Sequence, residues 1–396
     1  MPPAATEPGA RVAGFVPLCV PEIRGREWEY VKECLDTGWV SSVGSFVDRF
    51  EKEMAARVGA RHPVATATGT AALHIALLTA GVRPDDEVLV STLTFIAPAN
   101  AIRYAGAWPV FIDAEPDYWQ IDTQRVVDFL DRQCRWSEGN LYNKTTGRRI
   151  GALLPVDVLG HPADFDPMVE AARKYGLPIV EDATESLGAR YKGRGAGMLG
   201  DIGCFSFNGN KLITTGGGGM IVTDNTAWAE KARYLTTQAK DDPVEYVHRE
   251  IGYNYRLTNL QAAMGCAQLE MLDEYIAKKR SIAERYNEAL GRIEGVTTMP
   301  GAEWAWPVYW MYTVLIDEQR YGQSSRRLLA RLGEKRIQAR PLWQPLHRSA
   351  AHAGAEAVEG GVADRLNRDA LSLPCSVGLT DAEFELVVQA VAEPGR

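Results

Sequence analysis

The chain has 396 residues, enough for two or three units of about 150 residues each and for a sizeable buried core. Hydrophobic residues make up 46% and charged residues 24%, the balance of a folded globular protein rather than a disordered one. Its 43 basic and 51 acidic residues give a net charge of −8, no footprint for nucleic acid or an anionic membrane, so any anionic ligand must be held by a local pocket. No stretch reaches the roughly 18 apolar residues that a spanning helix needs. Residues 1–7 lack the basic and then apolar pattern of a signal peptide, and a cytoplasmic location is expected. Cys19, Cys34, Cys134, Cys204, Cys266 and Cys375 are scattered without a C-x-x-C pair, and no histidines fall at zinc-ligand spacing. Reduced thiols and no metal centre are expected.

Residues 63–68 read as a strand and 70–79 as a helix closed by Gly81. Strand 87–91, helix 98–104 and strand 109–113 follow, then helix 122–133, strand 150–158, helix 167–175 and strand 178–181. This alternation predicts a mostly parallel sheet with helices on both faces. The polar, turn-rich residues 136–149 are expected as a surface excursion. Beyond Glu181 the rhythm changes. Five glycines punctuate 188–200, two short strands at 203–207 and 220–223 flank a loop, and a helix over 258–290 is long enough to join two domains. Strand 309–316 and helix 324–332 come next. A large domain is placed at 1–257, N-terminal arm included, and a smaller C-terminal α+β domain at 258–396, beginning within the long helix.

Three segments carry residue types suited to chemistry. Lys211 sits in the loop between the two short strands, ahead of Gly216, Gly217, Gly218 and Gly219. Glycine backbone lets a ligand approach closely, and a partly desolvated lysine there can form a Schiff base; a plain glycine hairpin with a surface lysine accounts for the same residues. Asp182 ends a strand of an α/β sheet, where such folds bind ligands, and a protonated pyridine nitrogen would satisfy its charge; helix capping is the alternative. The strand leading into Gly69, Thr70 and Ala71 presents amides at a helix N-terminus, a setting for phosphate. Phe95 follows another strand end and is either a ring-stacking residue or core. Together a lysine for an aldehyde, an aspartate for a pyridine nitrogen, a helix end for a phosphate and an aromatic for a ring face describe one ligand, pyridoxal 5′-phosphate (PLP).

The chain resembles the DegT/DnrJ/StrS family of PLP-dependent sugar aminotransferases from about Pro17 to Leu379. The motifs are Gly69-Thr70-Ala71-Ala72-Leu73, Thr94-Phe95, Glu181-Asp182-Ala183, Ser206-Phe207 with Lys211 five residues after Ser206, and Gly252-Tyr253-Asn254-Tyr255-Arg256-Leu257. The resemblance implies an aspartate-aminotransferase-like fold type I enzyme, with a large, mostly parallel seven-stranded sheet and composite active sites in a homodimer. It implies Lys211 as the Schiff-base lysine and Asp182 as the pyridine partner. Gly69, Thr70, Ser206 and, from the neighbouring subunit, Asn254 would hold the phosphate, and Phe95 would stack on the ring. Ala71 and Glu185 are also placed at the cofactor.

Residues 29–44, Asn208-Gly209-Asn210 and Pro341-Leu342-Trp343-Gln344-Pro345-Leu346-His347 resemble the branch of legionaminic acid and bacillosamine pathways. That branch aminates C4 of UDP-linked 4-keto-6-deoxy-N-acetylhexosamines, with L-glutamate as donor and 2-oxoglutarate as product. Trp39, Ser42, Trp343 and His347 are the substrate candidates it implies, each explained as well by ordinary packing. Gly217 stands where the wider family has glutamate, Glu185 where Gln or His is usual, and Asp157 where His is frequent. The alternatives are a 3-keto-sugar or keto-cyclitol aminotransferase, a C3-dehydratase (against which Lys211 counts, since those relatives carry histidine), or a PLP-binding regulatory protein without turnover.

Overall fold

The computed structural model describes residues 14–242 and 244–393; the expected absence of a leader concerns residues 1–7, outside that range. Strands Glu87–Ser91, Ile150–Leu154 and Gly219–Thr223 are buried at every position, the signature of a sheet covered on both faces. Among the described residues the large sheet runs His62–Thr66, Gly219–Thr223, Ile202–Ser206, Val180–Asp182, Ile150–Leu154, Glu87–Ser91, Trp108–Ile112 and Glu356–Val358. Its two halves join through the parallel bridges Leu153–Ile179 and Val156–Asp182. Only Gly219–Thr223 runs against its neighbours. Seven of these strands match the expectation. The eighth, Glu356–Val358, returns from the C-terminal region to extend the edge beside Trp108–Ile112.

The helix Gly69–Thr79 shows why this region folds as it does. It is apolar nearly all round and buried at all but two positions, so it stays helical only when sandwiched against the sheet. Thr68 caps it by accepting the Ala71 amide at 3.0 Å. Other spans differ from expectation for local reasons. Residues 134–143 form a hairpin, Cys134–Ser137 against Asn140–Asn143, because Glu138 and Gly139 both take positive φ and close a two-residue turn. The strand expected to 158 stops at Leu154, before Pro155, and its continuation turns through Leu159 at φ 61°. The long helix is two helices, Asn259–Glu270 and Leu272–Leu290, divided where Met271 adopts φ −97°, ψ −2°.

The C-terminal part carries its own antiparallel sheet of Val296–Thr297, Tyr312–Ile316 and Ala370–Leu373. Helices Leu272–Leu290, Ser325–Glu334 and Asp381–Ala392 pack around it. The start of the described chain is stitched to this part: Val16 bridges Ile337, the Leu18 amide donates to Gln338 Oε1, and the Cys375 amide donates to the Leu18 carbonyl. Between that assembly and the carboxyl ends of the large sheet's strands lies the main cleft. None of the described helices is long and apolar enough to cross a membrane.

Candidate active site

A cleft of about 880 Å³ opens at the strand ends, and its lining brings together Gly69, Thr70, Phe95, Asp182, Glu185, Ser206, Lys211 and Trp343. They arrive on several separate elements. Gly69 and Thr70 open their helix, so their amides have no carbonyl a turn earlier to accept them. Ala71 is placed differently from the expectation, because its amide is already taken by the Thr68 cap, which leaves the Gly69 and Thr70 amides open at the helix end. Gly69 must be glycine. A Cβ there would lie 2.7 Å from Ser206 Cβ, and that closeness sets the Ser206 hydroxyl beside the helix end.

The glycine run after Lys211 is used mainly for packing. A Cβ at Gly219 would meet the Thr68 carbonyl oxygen at 2.5 Å, so the residue lets its strand press against the start of the Gly69–Thr79 helix. Gly217 offers its carbonyl to Gln261 Nε2 at 2.9 Å, and with Gly218 it lines the cleft. Phe95 stands 54% exposed on the cleft wall, free to cover a ring.

Asp182 ends its strand fully buried, with its backbone paired to Pro155 and Asp157 on the neighbouring strand's extension. Among the described residues its carboxylate takes hydrogen bonds only from Thr184, including one from the amide to Oδ1 at 3.1 Å. Burial pushes its pKa up; Thr184 and the Lys211 charge pull the other way. A buried carboxylate with so few donors is matched to a cationic N–H ligand arriving from the cleft. Glu185, three residues on, is committed elsewhere. Its Oε2 accepts the Leu159 amide at 2.8 Å, and its Oε1 lies 3.6 Å from Lys211 Nζ. Burial raises it to about 7, opposed by Lys211. Leu159, donor to that carboxylate, holds a left-handed conformation that leucine rarely adopts, a strain of about 1–3 kcal/mol stored at the cleft wall.

Lys211 Nζ lies 3.9 Å from the centre of the Trp310 ring as well as near Glu185. Trp310 Nε1 in turn donates to the Asn210 carbonyl at 2.8 Å, pinning the loop one residue before the lysine. Nothing in the pattern of residues 308–311 beyond an apolar run distinguished Trp310. Arg340 and Gln338 were likewise missed, and both line the C-terminal wall beside Trp343.

Other candidates fall outside the cleft. His347 does not line it; Nδ1 is 2.8 Å from Thr92 Oγ1 and Nε2 is 3.7 Å from Asp364, so the ring fastens its segment to the end of a sheet strand. Asp157 is wholly buried, accepting from the Ala163 amide and the Ser186 hydroxyl. Ser42 and Asn254 meet in a second hollow of about 420 Å³, with Arg233 and Arg256 on its wall. Trp39 is exposed, and its carbonyl receives Asn259 Nδ2 at 2.7 Å.

This sheet, with its cleft at the strand ends, defines an aspartate-aminotransferase-like fold type I enzyme that uses PLP. The chain belongs to the DegT/DnrJ/EryC1/StrS aminotransferase family, whose profile matches residues 21–392. A Bacillus subtilis (strain 168) protein, EpsN, provisionally named a pyridoxal phosphate-dependent aminotransferase, is 40% identical over 378 residues, covering 94% of each chain. The GDP-perosamine synthase of Caulobacter vibrioides is 38% identical over 379 residues, 95% of this chain and 97% of that one. Among solved structures, S. venezuelae DesV superposes with a TM-score of 0.82 at 32% identity, covering 93% of both chains. The protein is thus a PLP-dependent sugar aminotransferase.

Proposed function

We propose that the chain moves the amino group of L-glutamate to the C4 ketone of a UDP-linked 4-keto-6-deoxy-N-acetylhexosamine, working as a cytoplasmic homodimer. The observation that carries this reading is the gathering of Lys211, Asp182 and the free helix end at Gly69 and Thr70 in one cleft. At about 880 Å³ the cleft is near the top of the roughly 300–1,000 Å³ range of ligand sites, which suits a cofactor and a hexose together.

When bound, PLP supplies an aldehyde to carry the amino group and an electron-poor ring to accept the electron pair of a breaking C–H bond. The chain's own groups do the rest. Lys211 Nζ takes the proton from the donor's Cα and returns one in the second half of the exchange, the part of a general base and acid. Asp182 holds a proton on the pyridine nitrogen. The Gly69 and Thr70 amides and the Ser206 hydroxyl bind the phosphate, joined by Asn254 of the partner subunit, and Phe95 covers the ring face. Trp343 contacts the sugar. Glu185, able to hold a proton near neutrality, keeps Lys211 and the strained Leu159 turn in place.

The resemblance of residues 29–44, Asn208-Gly209-Asn210 and the Pro341–His347 segment to the branch acting on UDP-linked sugars supports the UDP-linked substrate. The likeness to a GDP-perosamine synthase supports a second reading, a GDP-linked 4-keto sugar. A panel of UDP-, GDP- and dTDP-linked 4-keto-6-deoxy sugars offered with L-glutamate, with products weighed by mass spectrometry, decides between them. The proposal expects amination of the UDP-linked N-acetyl sugar at the highest kcat/KM. Preference for the GDP sugar transfers the assignment to the second reading. No amination of any 4-keto sugar transfers the assignment to a 3-keto-sugar or keto-cyclitol acceptor.

A further inference from the structure

Lys279 is a buried lysine that the cofactor site does not use. Its residue is 1% exposed, and Nζ donates to the Trp310 carbonyl at 2.7 Å. Its other polar neighbours are sulfurs, Cys375 Sγ at 3.5 Å and Cys19 Sγ at 3.6 Å. An ammonium group sealed inside a protein requires a counter-charge. Burial works against the charged form of Lys279, and negative charge on the neighbouring cysteines more than offsets it, so the counter-charge open to this ammonium is a cysteine thiolate.

The two thiols are unequal. Cys375 is 1% exposed behind the wall, whereas Cys19 is half-buried and lines the cleft. As a neutral thiol Cys19 donates to the Asn210 carbonyl across 3.5 Å. The Cys375 thiol approaches the Trp310 carbonyl across 3.7 Å, and a Cys19 thiolate would draw that S–H to itself beside the Lys279 ammonium 3.6 Å away. That second arrangement lowers its pKa to about 6, chiefly through the Cys375 hydrogen bond, against burial and with help from Lys279. Cys375 is pushed well up by the same Cys19 contact and by burial. A cleft-facing thiolate backed by a protonated thiol is the arrangement of an attacking and a resolving cysteine.

We propose that Cys19 and Cys375, with Lys279 between them, form a hydroperoxide-reactive dithiol site in the cleft wall that closes to a disulfide. Cys19 sulfur attacks one peroxide oxygen; the S–O bond forms, the O–O bond breaks, and the departing hydroxide takes a proton to become water. Cys19 is now a sulfenic acid and the peroxide is reduced by two electrons. Cys375 then gives up its proton and its sulfur attacks Cys19 sulfur; the S–O bond breaks and hydroxide leaves with that proton as a second water. The cluster touches the catalytic loop at two points, since Cys19 and Trp310 Nε1 both approach the Asn210 carbonyl, and the Trp310 ring lies over Lys211. Closure removes the counter-charge of Lys279 and shifts Trp310, so oxidation lowers transamination.

The test treats the purified holoenzyme with hydrogen peroxide, blocks residual thiols with N-ethylmaleimide and maps peptides by mass. The expected result is a linked pair of peptides containing Cys19 and Cys375, removed by dithiothreitol with recovery of the lost activity. Cys19 is also expected to alkylate with iodoacetamide at pH 7 at least tenfold faster than the other five cysteines. In Cys375→Ser the linkage is absent, Cys19 advances to sulfinic acid, and dithiothreitol no longer restores what peroxide removed from that variant. Cys19 left unmodified at peroxide levels that oxidise free glutathione, or a wild-type Cys19 sulfinate without any linked peptide, overturns the proposal. The mass readout does not depend on the sugar substrate, so its failure is separate from failure of the proposed transamination.

Discussion

The two walls of the cleft are built differently. On the sheet wall, Gly69, Asp182 and Ser206 each sit at the end of a strand or the start of a helix that the large sheet holds rigid. On the C-terminal wall, Trp310, Gln338, Arg340 and Trp343 stand on short or irregular segments around a three-stranded sheet. Rigid strand ends suit groups that must meet a reacting centre to within a fraction of an ångström, whereas irregular segments are where recognition varies. On the proposed function, the chemistry falls to the sheet wall and the choice of sugar to the C-terminal wall. Substitutions on the first should therefore remove rate, and those on the second should change which substrate is accepted.

The hardest break is Lys211→Ala. Steady-state assays are expected to show at least a roughly 10⁴-fold loss of kcat with circular dichroism unchanged, because the proton-transfer group disappears. A residual rate within tenfold of wild type would remove Lys211 from the chemistry. Asp182→Asn comes next, with kcat down about 10²–10⁴-fold while the cofactor is retained, since an amide cannot keep the pyridine nitrogen protonated. Rates within a few-fold of wild type would mean that the buried carboxylate serves the fold alone.

Asn254→Ala tests the boundary of the sheet wall. Its place in the second hollow, away from the main cleft, fits a role in another copy's site. Losing an amide that donates to a phosphate costs about 1–3 kcal/mol, roughly a 5–150-fold weaker hold on PLP by fluorescence titration. Mixing inactive Lys211→Ala subunits with Asn254→Ala subunits should restore activity, because one mixed site carries both defects and the other neither. Confirmed subunit exchange without recovery would place Asn254 in its own chain's site or in none.

Glu185 links the chemistry to stability. Unfolded, its carboxyl ionises near 4.5; folded, it keeps its proton to about 7. The folded state binds more protons across that window, so stability falls as pH rises from about 4.5 to about 7. The share belonging to Glu185 is about 2–3 kcal/mol, and Glu181, raised by burial to about 7, adds to the same decline. Glu185→Gln should flatten the fall in denaturation midpoint across that range without abolishing it. A slope equal to wild type would show that Glu185 ionises normally. The smallest effect is expected on the C-terminal wall, where Trp343→Ala should raise KM for the sugar about 3–10-fold and leave the glutamate half-reaction unchanged.

The same division explains what could be read from the residues alone. The sheet wall was legible because each group sits in a short motif tied to a strand-to-helix step, so Lys211, Asp182, Gly69 and Thr70 reach the cleft as their spacing implied. Ala71 reads as an open amide from its place in the motif, but the Thr68 side chain caps it, a local competition that spacing does not record. Trp310, Gln338 and Arg340 carried no such signal; they meet the cleft only through contacts across the domain that periodicity does not record. His347 is open in the sequence between a sugar contact and ordinary packing, and the structure sets its ring against Thr92, a residue 255 positions away. The edge strand Glu356–Val358 was missed for the same reason, its pairing with Trp108–Ile112 being wholly long-range.

The central claim, that Lys211 is the group through which the sheet wall acts on PLP, is tested most directly by sodium borohydride reduction of the holoenzyme followed by peptide mapping. The account predicts a pyridoxyl-phosphate mass increment on the peptide bearing Lys211 and on no other. An increment on a peptide bearing another lysine, such as the buried Lys279 behind Trp310, or none on any lysine of an enzyme shown to contain the cofactor, would contradict it.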